Sequence, residues 1–174
     1  MRTLSFLPHN QLDLIPMQTF LENVRDFHRQ IGAPIAEAPA LLSCQQQTAV
    51  VAAEALREVL GRFRAMERGD EQLLVRLCLA VEELAEWAEA HAAGDLVAAA
   101  DAWGDRLYVL LGDAVSAGLP AVEIFAEVHR SNRTKSPVHA QNAGKGTKAV
   151  GYEPPQLRKL LGVDGQECPS YASR

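Results

Sequence analysis

The sequence predicts an all-α protein, an antiparallel bundle of about five helices. Three observations lead there. Apolar residues recur three and four positions apart through several long stretches, and no stretch alternates as a strand does. The chain is 48% hydrophobic and rich in Ala and Leu, yet only 6% aromatic, which favours packed helices over a β-sandwich. The breaks between stretches are short, and short connections make neighbouring helices antiparallel. At 174 residues one domain with short tails is expected, long enough to bury a core.

Each element has its own justification. Residues 1–16 lack a period and read as an arm ordered by a partner subunit. Phe20, Val24, Phe27 and Ile31 mark a first helix from Met17, ended by Gly32; His28 beside Phe27 reads as a helix-end residue. Pro34 and Pro39 make the next stretch a loop. Gln45 to Arg68 forms a second helix with Val51, Ala55, Val59 and Phe63 on its apolar stripe. Gly69-Asp70 breaks it, with Asp70 as the next N-cap. Glu71 to Ala92 is the third, its core stripe being Leu74, Leu77, Val81, Leu84 and Ala88. After Gly94-Asp95, Leu96 to Ala117 is the fourth, with Leu96, Ala100, Trp103, Leu107, Leu110 and Ala114 as core. Gly118-Leu119-Pro120 stops it, and Ala121 to Thr134 is the fifth. Residues 17–135 thus make the bundle. Residues 136–162 form a loop and a short helix beginning at Pro155, closing the site, and residues 163–174 a tail.

Composition narrows the function. A net charge of −5 and pI near 5.5 argue against a nucleic-acid partner. Three widely spaced cysteines without a CxxC argue against zinc and a disulfide framework, and fit a reducing cytoplasm. The N-terminus lacks a basic then apolar leader, and no apolar run is long enough for a membrane.

The chemistry centres on acids that interrupt apolar faces. Glu82 and Glu86 are i,i+4, Glu83 and Glu86 are i,i+3, and Asp101 and Asp105 are i,i+4 on the next helix. Leu79 shares the stripe of the glutamates; Val97, Tyr108, Leu111, Gly112 and Val115 share that of the aspartates. Antiparallel pairing would set these acids opposite each other. Carboxylates facing one interior repel and lose hydration, which protonation or a hard divalent cation relieves; oxygen donors suit Mg2+ or Mn2+. Against this stand three plainer arrangements: a solvated acidic face, an ionic network with Arg76 or Arg106, and a di-iron bundle. The last wants Glu-x-x-His pairs, and none occurs. Downstream lies a basic patch, His129 to Lys135, then Lys145 and Lys148. Cations beside a carboxylate-metal centre suit a polyphosphate. Gly144-Lys145-Gly146-Thr147 is not a Walker A loop, and no nucleophile motif appears, which leaves metal-activated water.

These residues form a pattern. Glu82-Glu83-x-x-Glu86, followed by an Asp-bearing helix, resembles the signatures of the MazG-like all-α NTP pyrophosphohydrolases, a superfamily that includes phosphoribosyl-ATP pyrophosphohydrolases and dimeric dUTPases. Phe27-His28-Arg29-Gln30-Ile31-Gly32, Leu107-Tyr108-Val109, Glu127 to Asn132 with Lys135, and Gly151-Tyr152-x-Pro154-Pro155 resemble its phosphoribosyl-ATP-pyrophosphohydrolase-like branch. The likeness runs from about Met17 to Leu161. It implies Glu83, Glu86 and Asp105 as metal ligands, Glu82 as a ligand or water-orienting base, and Asn132 and Lys135 as a phosphate-binding pair. The acid expected three residues before Asp105 is Ala102 here. Either Asp101, a turn away on the same face, stands in for it, or one metal position is weakened.

The resemblance further implies attack of water at the α-phosphorus of a nucleoside triphosphate, giving monophosphate and pyrophosphate, in a homodimer or dimer of dimers. Helices apolar on two faces agree, since five helices cannot cover them. The expected function is a Mg2+-dependent (Mn2+ as the alternative) house-cleaning pyrophosphohydrolase of (d)NTPs, with Lys145 and Lys148 also on the phosphates. Tyr108 reads equally as a pocket wall and as a core aromatic; Trp103 reads as core. The alternatives are a non-catalytic nucleotide-binding or assembly module of the same fold, motivated by Ala102, and a phosphoribosyl-ATP pyrophosphohydrolase.

Overall fold

The computed structural model describes residues 17–66, 71–136, 146–148 and 150–163. The arm before Met17, the Gly69-Asp70 break with its Asp70 cap, Lys145 and the tail beyond Val163 lie outside the described residues. The described elements are α1 (Met17–Ile31), α2 (Gln46–Met66), α3 (Gln72–Ala93), α4 (Leu96–Ala117), α5 (Ala121–Arg133) and α6 (Leu157–Leu160). Beyond helices, they contain one isolated bridge, Ser136 with Thr147. The protein is therefore all-α. Its contacts divide into two compact units: Ala36–Ala121, and the segments on either side of it.

In the central unit α3 packs against both α2 and α4. Both pairings are antiparallel. Arg57 of α2 meets Glu89 late in α3, and Arg64 meets the earlier Glu82. Arg76 at the start of α3 reaches Asp113 and the carbonyl of Val109 towards the end of α4. The α3–α4 reversal is written locally. Gly94 takes the left-handed conformation (φ 73°) that closes α3 without a Cβ penalty. The Asp95 carboxylate then accepts from the N–H groups of Val97 and Ala98 at 2.9 and 3.0 Å, capping α4.

The buried contacts are made mostly by small residues. Ala49, Ala53 and Leu60 of α2, Leu74, Cys78, Ala85 and Ala90 of α3, and Ala99 and Ala102 of α4 are buried, Ala85 completely. Alanines let helix backbones approach closely, so the packing rests on short side chains. This corrects three expected stripes. On α2, Val51, Ala55 and Val59 face outward, and the stripe through Ala49, Ala53 and Leu60 faces inward. On α3 the buried line runs through Leu74, Cys78 and Ala85, and Leu77 is exposed. On α4, Leu96, Ala100, Leu110 and Trp103 are exposed, Trp103 by 50%. The physical reason is the same throughout. Each of these helices is apolar on more than one side, and among the described residues of the central unit the covered side is the one meeting α3, or meeting α2 and α4 for α3 itself.

The outer unit is held by a ring contact and by polar contacts. The Phe20 and Phe125 rings lie 4.4 Å apart between α1 and α5. The Gln30 amide donates to the carbonyls of Arg133 (2.9 Å) and Lys135 (2.8 Å), tying the end of α1 to the end of α5. His28 donates from Nδ1 to the Pro34 carbonyl, a helix-end role. The Glu153-Pro154 segment is strapped along α5. Buried Ser131 donates to the Glu153 carbonyl at 2.7 Å, and the Glu153 N–H donates to Thr134 Oγ1 at 2.9 Å.

Candidate functional site

The acids sit on the facing flanks of α3 and α4 in the central unit. Glu83 is their centre. Its Oε2 is buried and has no hydrogen-bond partner. Burial pushes its carboxyl above the ordinary value of 4.5, and the charges of Glu86, Asp105, Glu82 and Asp101 push it further, in that order of strength. The other four predicted acids therefore all bear on Glu83. Asp101 and Asp105 are exposed, whereas Ala102 between them turns inward and is 4% exposed.

Arg76 and Arg106, weighed as partners in the alternative of an ionic network, meet other groups. Arg76 is engaged by Asp113, and Gly112 leaves room for it: a Cβ there would stand 2.6 Å from its Nη2. The Arg106 guanidinium lies 4.4 Å over the Trp87 ring. The ionic partners of the acids come from α2. Arg64 Nη2 donates to Glu82 Oε1 at 2.8 Å, and Arg57 Nη2 stands 3.8 Å from Glu86 Oε1. Arg57 also donates twice to Glu89, from Nε at 2.6 Å and Nη2 at 2.7 Å. Residues Ala53, Arg57, Leu60 and Arg64 recur at helical spacing, and that single line carried the signal.

Among the described residues, no three His, Cys, Asp or Glu side chains are drawn together at metal-binding spacing. Arg64 and Arg57 stand on the α2 side of Glu82 and Glu86. The donor set itself fits a hard divalent cation. It consists of carboxylate oxygens, and the central one is buried and unpartnered, the arrangement a cation would relieve.

The predicted phosphate residues lie in the outer unit. Lys135 Nζ donates to Asn132 Oδ1 at 2.7 Å, so those two are brought together. Gly146 permits a close approach, since a Cβ there would stand 3.0 Å from Lys135 Cβ. Lys148 lies 5.1 Å from the Tyr152 ring centre. Two further atoms of this unit, Thr147 Oγ1 and Gln30 Oε1, are buried without partners; no sequence period pointed to either. Tyr108, on α4 of the central unit, is 81% exposed, so within the single chain it is not a core aromatic.

The segment strapped to α5 depends on one carboxylate. Glu127 accepts from Arg130 and from the Gln156 N–H, and these bonds hold its carboxyl down to about 2 from 4.5. Arg130 in turn donates to Glu153 at 2.6 Å. A depressed folded pKa contributes stability above the unfolded value and loses it as pH falls through the folded one. Glu127→Gln is therefore expected to melt below the native chain at pH 7. The gap should start to close below pH 4.5 and vanish near pH 2, as paired thermal melts would record.

Residues 61–132 match the family model of phosphoribosyl-ATP pyrophosphohydrolase. The matched span runs from the end of α2 through Asn132 and holds all five acids. A "putative NTP pyrophosphohydrolase" from Exiguobacterium sp. 255-15, known as a crystal structure, is similar in fold, with a TM-score of 0.50 and 21% identity. That similarity covers 83% of this chain and 93% of the other. No curated protein matches the chain.

Proposed function

We propose that the chain is a metal-dependent nucleoside triphosphate pyrophosphohydrolase of the MazG-like all-α superfamily, one that clears unwanted (d)NTPs from the pool. One observation carries this reading: the bare, buried oxygen of Glu83 with four further carboxylates acting on it. Glu82, Glu83, Glu86, Asp101 and Asp105 would hold Mg2+, or Mn2+ in its place. Such an ion supplies a lowered pKa for bound water and charge neutralisation on phosphoryl oxygens.

The side chains divide the remaining work. Glu82 and Glu83 would serve as the bases that accept the proton of the attacking water. Asn132 and Lys135, already hydrogen-bonded to each other, bind the departing pyrophosphate as a unit, with Lys148 and Lys145 adding charge. Tyr108 offers an exposed ring to the nucleotide. Attack at the α-phosphorus yields a nucleoside monophosphate and pyrophosphate. The exposed apolar residues of α4, Trp103 and Leu110 on one stripe and Val97 and Val115 on that of the aspartates, are covered by further copies in a homodimer or dimer of dimers. Among the described residues no single helix is long and apolar enough to cross a membrane, consistent with a cytoplasmic enzyme.

A second reading has its own support. Ala102 is inward-facing where the superfamily pattern has an acid, which favours a module that binds nucleotide without turning it over. A panel of normal and modified dNTPs and NTPs, assayed for pyrophosphate with Mg2+ and then Mn2+, separates the two. Monophosphate and pyrophosphate from one or a few nucleotides support the enzyme and identify the base. Calorimetric nucleotide binding with no product overturns the enzyme and supports the module. Turnover confined to phosphoribosyl-ATP would move the assignment to that substrate.

A further inference from the structure

The two α2 arginines treat the acids unequally. Glu82 is bonded to Arg64, Glu86 stands beside Arg57, and Glu83 between them has an oxygen with no partner. We propose that Arg57 and Arg64 are positioning residues for the carboxylate site. They hold Glu82 and Glu86 towards α2 when the metal is absent, and yield them when a divalent cation binds. The inference rests on the reading of these acids as a metal site.

Three observations carry it. First, a guanidinium and a divalent cation compete for the same carboxylate lone pairs, so Glu82 and Glu86 cannot serve both fully. Second, the pairs are exchangeable. Arg64 and Glu82 are 52% and 30% exposed, Arg57 and Glu86 38% and 46%, and exposed pairs of this kind are weak. Third, Arg57 has somewhere to remain. Its two bonds to Glu89, which lies outside the proposed ligand set, keep it anchored after Glu86 turns away. The arrangement also has a clear benefit. Without the arginines five carboxylates would face one another in the metal-free site; with them Glu82 and Glu86 have a cationic neighbour, and Glu83 alone of the three glutamates keeps a buried oxygen without a partner.

The test is Mn2+ binding to the full chain, followed by electron paramagnetic resonance and calorimetry. Arg64→Met and Arg57→Met remove the competing charge while keeping most of the stem. Each is expected to tighten the Mn2+ Kd by about 3- to 10-fold, the loss of one nearby charge in a high-dielectric cleft. Arg64→Lys keeps the charge and should bind nearly as the native chain does. A purely structural ion pair gives the opposite sign, because losing it would loosen the acids and weaken binding. An unchanged or weaker Kd in folded Arg64→Met, with binding still abolished by Glu83→Gln, overturns the exchange and leaves the site reading intact. No Mn2+ binding by the native chain, or none of it dependent on Glu83, overturns both. Arg64 lies at the surface, so Arg64→Gln gives a second folded report should Arg64→Met be poorly behaved.

Discussion

Glu83→Gln is expected to abolish pyrophosphate release and, in the metal-free protein, to raise the melting temperature at neutral pH. The two effects share one cause. Glu83 is half-buried, and it is the only one of the five with an unpartnered buried oxygen. On the proposed function, its charge would help to hold the divalent cation and would accept a proton from the attacking water. Losing several kcal/mol of that stabilisation is roughly a thousandfold in rate. In the empty site the same charge is a liability. Its pKa is raised, chiefly by burial and then by Glu86, Asp105, Glu82 and Asp101. The folded chain therefore binds this proton more tightly than the unfolded chain does. Stability is lost as pH rises from 4.5 through the raised value, and the amide escapes that loss. Chelator-treated Glu83→Gln and native chains, melted from pH 4 to 8, should converge at the acid end and separate at the neutral end. Full turnover in the variant would remove Glu83 from the chemistry. A variant less stable at every pH would mean the carboxylate is satisfied in the fold.

Much of this site was legible because its signals are local. A helix sets the spacing of Glu82, Glu83 and Glu86, and of Asp101 and Asp105, whatever surrounds it. The bounds of α1 and α4 follow from Ile31-Gly32, Asp95 and Ala117-Gly118, where caps and breakers act within a few residues. What failed was the choice of face. α2 offers valines on one side and alanines on another. Hydrophobicity favours the valine side, yet the alanine side is buried. There the short side chains admit α3 closely enough for Arg57 and Arg64 to reach Glu89 and Glu82. That close approach belongs to the pair of helices, and no single-helix pattern contains it. Trp103 failed for a related reason. Periodicity marks an apolar stripe but does not say whether the chain itself or another molecule covers it. The two-unit division was likewise out of reach, because it depends on which helices pair and not on where they begin.

The departure at Ala102 can be decided by adding the missing acid. The superfamily pattern suggests that Ala102→Glu would restore a ligand and speed the enzyme. The structure argues for the reverse. Ala102 is 4% exposed on the inward face of α4, one turn from buried Ala99, whereas Asp101 and Asp105 stand on the open flank. A glutamate there would have to enter a contact built from alanines, carrying a charge beside five others. Overpacking together with an unpaired buried carboxylate is expected to cost about 2–4 kcal/mol. The melting temperature should fall accordingly, by roughly 2–4 °C for each kcal/mol. Turnover should not rise above that of the native chain. Ala102→Gln separates the two costs: it fills the same space without charge, so the part of the loss it recovers is electrostatic. Asp101→Asn completes the test. If Asp101 has taken over the missing ligand's task, its amide lowers metal affinity although the side chain is exposed and its loss leaves the melting temperature unchanged. A stable Ala102→Glu chain with raised turnover would show that α4 can turn its inward face towards the metal. The weaker ligand set would then be a property of this sequence alone, and the helix packing would have no part in it.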